Sequence, residues 1–158
     1  SAMAPRASRI AAYHSMSKGF GRAAIRVGFA LADPGLIELL DGIRPPGSIS
    51  SISSGIAQSA LENTSRMRRH VERILRERER LAAELGTAGI SVVPGSETNF
   101  LLCHVGPRAH AIASGLMGEG LVVRTFPVEG PLAEFLRFTV RARNENDRLI
   151  EALRRHLP

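Results

Sequence analysis

The residues best equipped for chemistry lie close together: Ser15-Met16-Ser17-Lys18-Gly19-Phe20-Gly21, with Arg26 eight positions beyond the lysine. Two hydroxyls flank an amine at a turn, and a guanidinium follows. Hydroxyls, backbone amides at a helix start and arginine are the donors that hold a phosphate. A lysine amine that sheds its proton attacks a carbonyl to form a Schiff base. A phosphate site beside a nucleophilic lysine implies pyridoxal phosphate, which carries both the phosphate and the aldehyde. An ordinary Ser-Lys-Gly turn would leave Arg26 unexplained.

Lys18 also stands out by composition. Of 21 basic residues it is the only lysine. Such a bias suggests a high-GC genome, in which a surface lysine drifts to arginine wherever a solvated cation suffices. A position that stays lysine is one that needs an amine, because arginine does not lose its proton in proteins. Chance survival of one surface lysine is the competing explanation.

The elements around this turn follow from local patterning. Residues 8–16 alternate weakly and end in small hydroxyl residues, which predicts a short strand whose end precedes Lys18. Val27 to Ala32 reads as a second, buried strand. Asp33-Pro34 starts a helix to about Ile43, Asp as cap and Pro in the first turn, and Arg44-Pro45-Pro46-Gly47 ends it. Ser48 to Ser54 is a polar linker and the expected domain boundary, giving domains 1–54 and 55–158. From Gly55 to Leu85, Met67, Val71, Ile74, Leu81 and Leu85 recur at helical spacing and predict one long amphipathic helix. Strands follow at Ile90–Val93 and Asn99–Val105, then a helix at Arg108–Met117. Two more strands are predicted at Leu121–Thr125 and Phe135–Val140. The last helix is expected over Asn144–Leu157 with Asn144 as N-cap. The order is that of an α/β or α+β protein.

Composition sets the outer bounds. The chain has 158 residues, 44% hydrophobic and 23% charged, enough for a core and unlike a disordered sequence. No apolar run reaches the roughly 18 residues of a membrane span. Ser1-Ala2-Met3 lacks the features of a signal peptide and reads as a cloning remnant. One cysteine, Cys103, excludes an internal disulfide, and no His/Cys spacing fits a metal, so no metal is expected and the cytoplasm is the expected compartment.

With Ala24-Ile25-Arg26-Val27-Gly28-Phe29 added, the lysine segment resembles that of histidinol-phosphate aminotransferase and its close relatives among the fold-type I pyridoxal-phosphate enzymes. The likeness continues in order through Asp33-Pro34, Pro45-Pro46 before the Ser-rich stretch, Thr98-Asn99-Phe100, Val123-Arg124, and Leu136-Arg137-Phe138-Thr139-Val140 before Glu145-Asn146. It implies an α/β fold: the C-terminal end of a cofactor-binding large domain, then an α+β small domain joined by a long helix. It implies a class I/II aminotransferase moving an amino group between an amino acid or amino-alcohol phosphate and a 2-oxo acid. Lys18 would bond the cofactor and move the substrate Cα proton, and Ser15, Ser17 and Arg26 would bind the cofactor phosphate. Arg137 would grip an acidic group of the substrate by a bidentate fork, with Arg124 as a second cation and Asn99 nearby.

Some positions depart from the family pattern. Arg22 stands where an apolar residue is usual, Ala24 where Gly is frequent, Gly47-Ser48 where Tyr-Asn is common, and Arg141 in place of a frequent Gly. Only 17 residues precede Lys18. The family's phosphate loop, stacking aromatic, phenolic-oxygen Asn and pyridine-nitrogen Asp, all upstream, are therefore expected to be missing. The chain reads as a C-terminal portion, inactive alone, that forms a homodimer or takes its N-terminal half from a partner. A catalytically silent dimerisation or interaction module is the alternative. Nucleic-acid binding by the arginines of residues 66–80 is a third reading; the interleaved Glu72, Glu77, Glu79 and Glu84 and the shortage of aromatics favour a solvated, ion-paired face instead.

Overall fold

The computed structural model describes residues 10–157, so Ser8, Arg9 and the expected remnant at the N-terminus lie outside the described residues. The chain forms two compact units, 1–71 and 72–158.

In the first unit β1 (Ala12–Ser15) pairs antiparallel with β2 (Gly28–Leu31), His14 facing Phe29 and Ser15 facing Gly28. The rings of His14 and Phe29 stack at 5.0 Å. Gly28 is required here: a Cβ on it would lie 2.8 Å from the His14 carbonyl oxygen, a backbone atom of the paired strand. Between the strands, Ala23–Ile25 makes a 3-10 turn that ends at Arg26, a non-glycine residue in the left-handed region at φ 55. Helix α1 (Pro34–Ile43) starts as expected, with the Asp33 side chain accepting from Gly35 N–H at 3.0 Å.

The Ser-rich stretch is not a linker throughout. Ser50 caps α2 (Ser51–Glu62) by accepting the Ser53 N–H at 3.1 Å, which turns the run of hydroxyls into a helix start. The single long helix expected over Gly55–Leu85 is two, α2 and α3 (Thr64–Thr87), broken at Asn63. Asn63 leaves helical angles at φ −117 and ψ 60, and its side chain accepts from the Ser65 hydroxyl at 2.9 Å. Short polar side chains that compete for local hydrogen bonds make this a natural break.

The second unit contains the C-terminal part of α3 and the sheet β3 (Ser91–Val92), β4 (Phe100–His104), β5 (Phe135–Thr139), antiparallel in that order. Burial alternates along β4 and β5. Leu101, Cys103, Leu136 and Phe138 enter a core with Leu81, Leu85, Ile112, Leu116, Ile150 and Leu153, from α3, α4 (Ala109–Gly118) and α5 (Arg143–His156). Each such large side chain contributes about 1.5–3 kcal/mol by leaving water. The strand expected at Leu121–Thr125 is reduced to a bridge between Arg124 and Arg137. Gly120 and Leu121 donate their amides to Met117 and Leu116 at 2.9 Å each, closing α4 and taking the first amide of the expected strand. The N-cap of helix α5 lies two residues earlier than expected, at Ala142 rather than Asn144.

Asn146 is the buried polar residue of this unit, 1% exposed. Its Oδ1 accepts from Arg141 N–H at 2.9 Å; its Nδ2 donates to the Arg141 carbonyl and to Glu77 Oε2, both at 3.0 Å. Arg80 donates to the same Glu77 carboxylate at 2.9 Å and reaches Asp147 at 2.7 Å. The Arg80 hydrogen bond holds the Glu77 carboxyl below its ordinary pKa against the opposing effect of burial, and Asn146 adds to the lowering. Among the described residues of α3, Arg80 is the one ion-paired arginine. Arg66, Arg68, Arg69, Arg73 and Arg76 form no ion pair among the described residues, so the expected ion-paired face is confined there to the C-terminal end of the run. No helix among the described residues is long and apolar enough to cross a membrane, and none of them form a metal-ligating cluster.

Candidate active site

The first unit holds Ser15, Ser17, Lys18 and Arg26 in one loop. Met16 is fully buried and anchors it, donating its N–H to the Val27 carbonyl at 3.1 Å and accepting from Arg22 N–H at 3.0 Å. The turn closes through Gly21 N–H to the Lys18 carbonyl at 3.0 Å, which needs the positive φ of Gly21. Gly19 faces α3, where an added Cβ would lie 4.0 Å from the side chains of Met67 and Val71, in ordinary van der Waals contact. Burial of Met16 thus leaves Lys18 exposed at the tip.

The side chains of this loop retain free donors. Ser15 Oγ accepts from Ser17 N–H at 3.1 Å, which leaves its hydroxyl proton to give. Arg26 uses one Nη on the Ala23 carbonyl at 3.0 Å. Among the described residues neither Lys18 nor Arg26 has a carboxylate partner. Sequence reasoning missed Arg22 beyond its oddity: its Nε is buried without a hydrogen-bond partner.

The second unit assembles Asn99, Arg124 and Arg137. Arg137 on β5 faces Leu102 of β4 on one side and Arg124 on the other, exchanging both backbone bonds with Arg124 at 3.0 and 3.2 Å. Asn99 continues β4 toward the same end, its carbonyl accepting from Val140 N–H at 2.9 Å. Two arginines directly opposite repel. Neither has a carboxylate partner among the described residues, whereas the neighbouring Arg141 reaches Glu145 at 3.4 Å. Arg137 is half-buried, its Nε has no hydrogen-bond partner, and its Cζ stands 4.6 Å over the Phe100 ring. A partly desolvated guanidinium with unused donors is suited to receive an anion. The ring beneath it was not legible beforehand, because the diagonal of Phe100 and Arg137 depends on the β4–β5 register.

Comparison with known proteins matches the chain to one family. The model of the class I and II aminotransferases matches residues 2–153, and the chain belongs to that family. It is 39% identical over 141 residues to histidinol-phosphate aminotransferase of Thermoanaerobacter pseudethanolicus, covering 89% of this chain and 39% of the relative. With the Streptomyces avermitilis enzyme of the same name the identity is 34% over 140 residues, covering 89% and 37%. Among solved structures, that of histidinol-phosphate aminotransferase from Sinorhizobium meliloti in complex with pyridoxal-5'-phosphate superimposes with a TM-score of 0.85 at 28% identity, over 95% of this chain and 41% of that one. The mixed α/β architecture is that of these relatives, and the chain spans about two fifths of their length.

Proposed function

We propose that the chain is the lysine-bearing C-terminal portion of a pyridoxal-phosphate-dependent aminotransferase of the histidinol-phosphate aminotransferase kind. Residues 1–54 would close its large domain and 55–158 would form its small domain. The observation that carries this reading is the exposed Lys18 among unspent hydroxyl and guanidinium donors in a chain of this family.

The donor set fits the cofactor. Ser15, Ser17 and Arg26 are phosphate donors with no carboxylate partner among the described residues, and Lys18 carries its amine one residue from Ser17. When bound, pyridoxal phosphate supplies the electron sink that acidifies the substrate Cα–H. Lys18 Nζ takes the proton from the substrate Cα and redelivers it, which an amine does and a guanidinium does not. Arg137 receives the substrate's acidic group through its fork, Arg124 adds a second positive charge, and Asn99 offers an amide at the same end of the sheet. The substrates of this reading are an amino acid or amino-alcohol phosphate and a 2-oxo acid.

The remaining three fifths of a relative's length would supply the contacts to the cofactor ring, from the same polypeptide, a homodimer mate or a separate one. The surface of the first unit supports this. Tyr13 is 71% exposed, Leu39 70% and Ile43 80%, and β1 and β2 have no residue buried on either face. A two-stranded ribbon with apolar residues open on both faces belongs to a larger sheet. A cysteine-poor chain without an apolar span suits the cytoplasm.

Incubated with pyridoxal phosphate, an amino donor and a 2-oxo acid, the 158-residue chain gives little turnover. In the assembled enzyme Lys18→Arg abolishes transamination and Arg137→Lys raises KM. Robust turnover by the chain alone contradicts the claim that it is incomplete, and a fully active Lys18→Arg enzyme contradicts the reading as a whole.

A further inference from the structure

We infer that Phe100 is a positioning residue that sets the orientation of the Arg137 guanidinium for its anion; this rests on reading Arg137 as the anion receptor. Three observations converge. Arg137 Cζ lies 4.6 Å from the centroid of the Phe100 ring, within the range of a cation–π contact. The register makes this a diagonal pair on one face of the sheet, Phe100 facing Thr139 and Leu102 facing Arg137, a spacing that only a large ring and a long side chain bridge. The Arg137 side chain makes no hydrogen bond or ion pair among the described residues, and its buried Nε is an orphan.

An arginine in a working pocket is usually oriented by a carboxylate or a carbonyl, at the cost of donors it then cannot offer. A ring face orients the plane of the guanidinium and accepts none of its five N–H groups. The whole fork stays free for a carboxylate or phosphate. The ring also lies over charge that would otherwise be held off by Arg124, whose backbone is locked opposite Arg137. Phe100 touches neither reacting atoms nor cofactor in this account; it acts through Arg137.

The test uses the ¹⁵N-labelled 158-residue chain and succinate as the carboxylate probe, at constant ionic strength. Arg137→Lys identifies the Arg137 Nε–H signal by its disappearance. In the wild type that signal is shifted by the ring and moves saturably as succinate is added. Phe100→Leu removes the ring shift and weakens succinate binding about tenfold, the order of magnitude of a partly desolvated cation–π contact, while Phe100→Tyr retains both. A role in packing alone would be met by leucine. If Phe100→Leu fails to fold, Phe100→Trp takes its place, with binding at least as tight as wild type expected and weaker binding counting against the inference. A Phe100→Leu chain that binds succinate as the wild type does overturns the role of Phe100 and leaves Arg137 standing. A wild-type Arg137 signal indifferent to succinate overturns the anion-receptor reading itself.

Discussion

Replacing Asn146 by alanine removes three hydrogen bonds at once. The Arg141 N–H and C=O, which the Asn146 amide meets at 2.9 and 3.0 Å in a part-buried position, lose these partners, and Glu77 loses one of its donors. Two neutral bonds are worth about 1 kcal/mol each and the bond to the carboxylate somewhat more, so the loss is about 3 kcal/mol or greater if the Arg141 groups stay unpaired. That is a large part of the total for a small unit, since domains are stable by only about 5–15 kcal/mol. With a urea slope of about 2 kcal/mol/M, the midpoint of the transition falls by about 1.5 M, read by circular dichroism. Asn146→Asp separates the contributions: it keeps an acceptor for Arg141 N–H but sets a second carboxylate against Glu77, so it is worse at pH 7 than near pH 4. A loss below about 1 kcal/mol for Asn146→Ala would refute the reasoning, because it would mean that water replaces the amide at Arg141. The clamp matters beyond stability, since Arg141 is the exit of the strand that carries Arg137.

The remaining predictions concern the same two units. Gly28→Ala drives a methyl into the His14 carbonyl oxygen and destabilises the β1–β2 ribbon by about 1–3 kcal/mol; trypsin then cuts faster after Lys18 or Arg22, and an unchanged rate contradicts it. Burial pushes the Cys103 thiol up to about 12, so iodoacetamide at pH 8 labels it only after denaturation, and labelling of the native chain would show the core to be open. Glu77 has a lowered pKa in the fold, so its stabilising effect is present above the ordinary carboxylate value and is lost as the pH falls through the folded one. Glu77→Gln is therefore less stable than wild type by about 1–3 kcal/mol at pH 7, and the difference vanishes in acid; a gap that is constant with pH contradicts the assignment.

Much of this organisation is legible in the sequence, for identifiable reasons. Asp33-Pro34 marks a helix start because capping is local, and the alternation around Leu136 and Phe138 marks a strand because burial has period two. The break at Asn63 and the cap at Ser50 were misread from helical periodicity and polarity, which do not register a single side chain competing for a backbone bond. The strand expected at Leu121–Thr125 fails because the amide of Leu121 closes the preceding helix, a choice between two partners that hydrophobicity does not report. The lysine turn was legible as chemistry since its residue types are adjacent in the chain. The Phe100–Arg137 contact joins residues far apart in sequence and exists only once the register of two strands is fixed.

The central claim is that Lys18 is the residue that bonds pyridoxal phosphate, and reductive trapping tests it most directly. The 158-residue polypeptide has two primary amines, Lys18 Nζ and its own α-amine, since every other basic side chain is arginine or histidine. An α-amine has the lower intrinsic pKa, about 8 against about 10.4 for lysine, so nonspecific reaction at neutral pH favours the terminus. Borohydride reduction after incubation with pyridoxal phosphate, followed by peptide mapping, is predicted to place the phosphopyridoxyl group on Lys18 in preference to the terminus, faintly in the chain alone and stoichiometrically in the assembled enzyme. Stoichiometric labelling of the assembled enzyme at any amine other than Lys18 would contradict the assignment of Lys18.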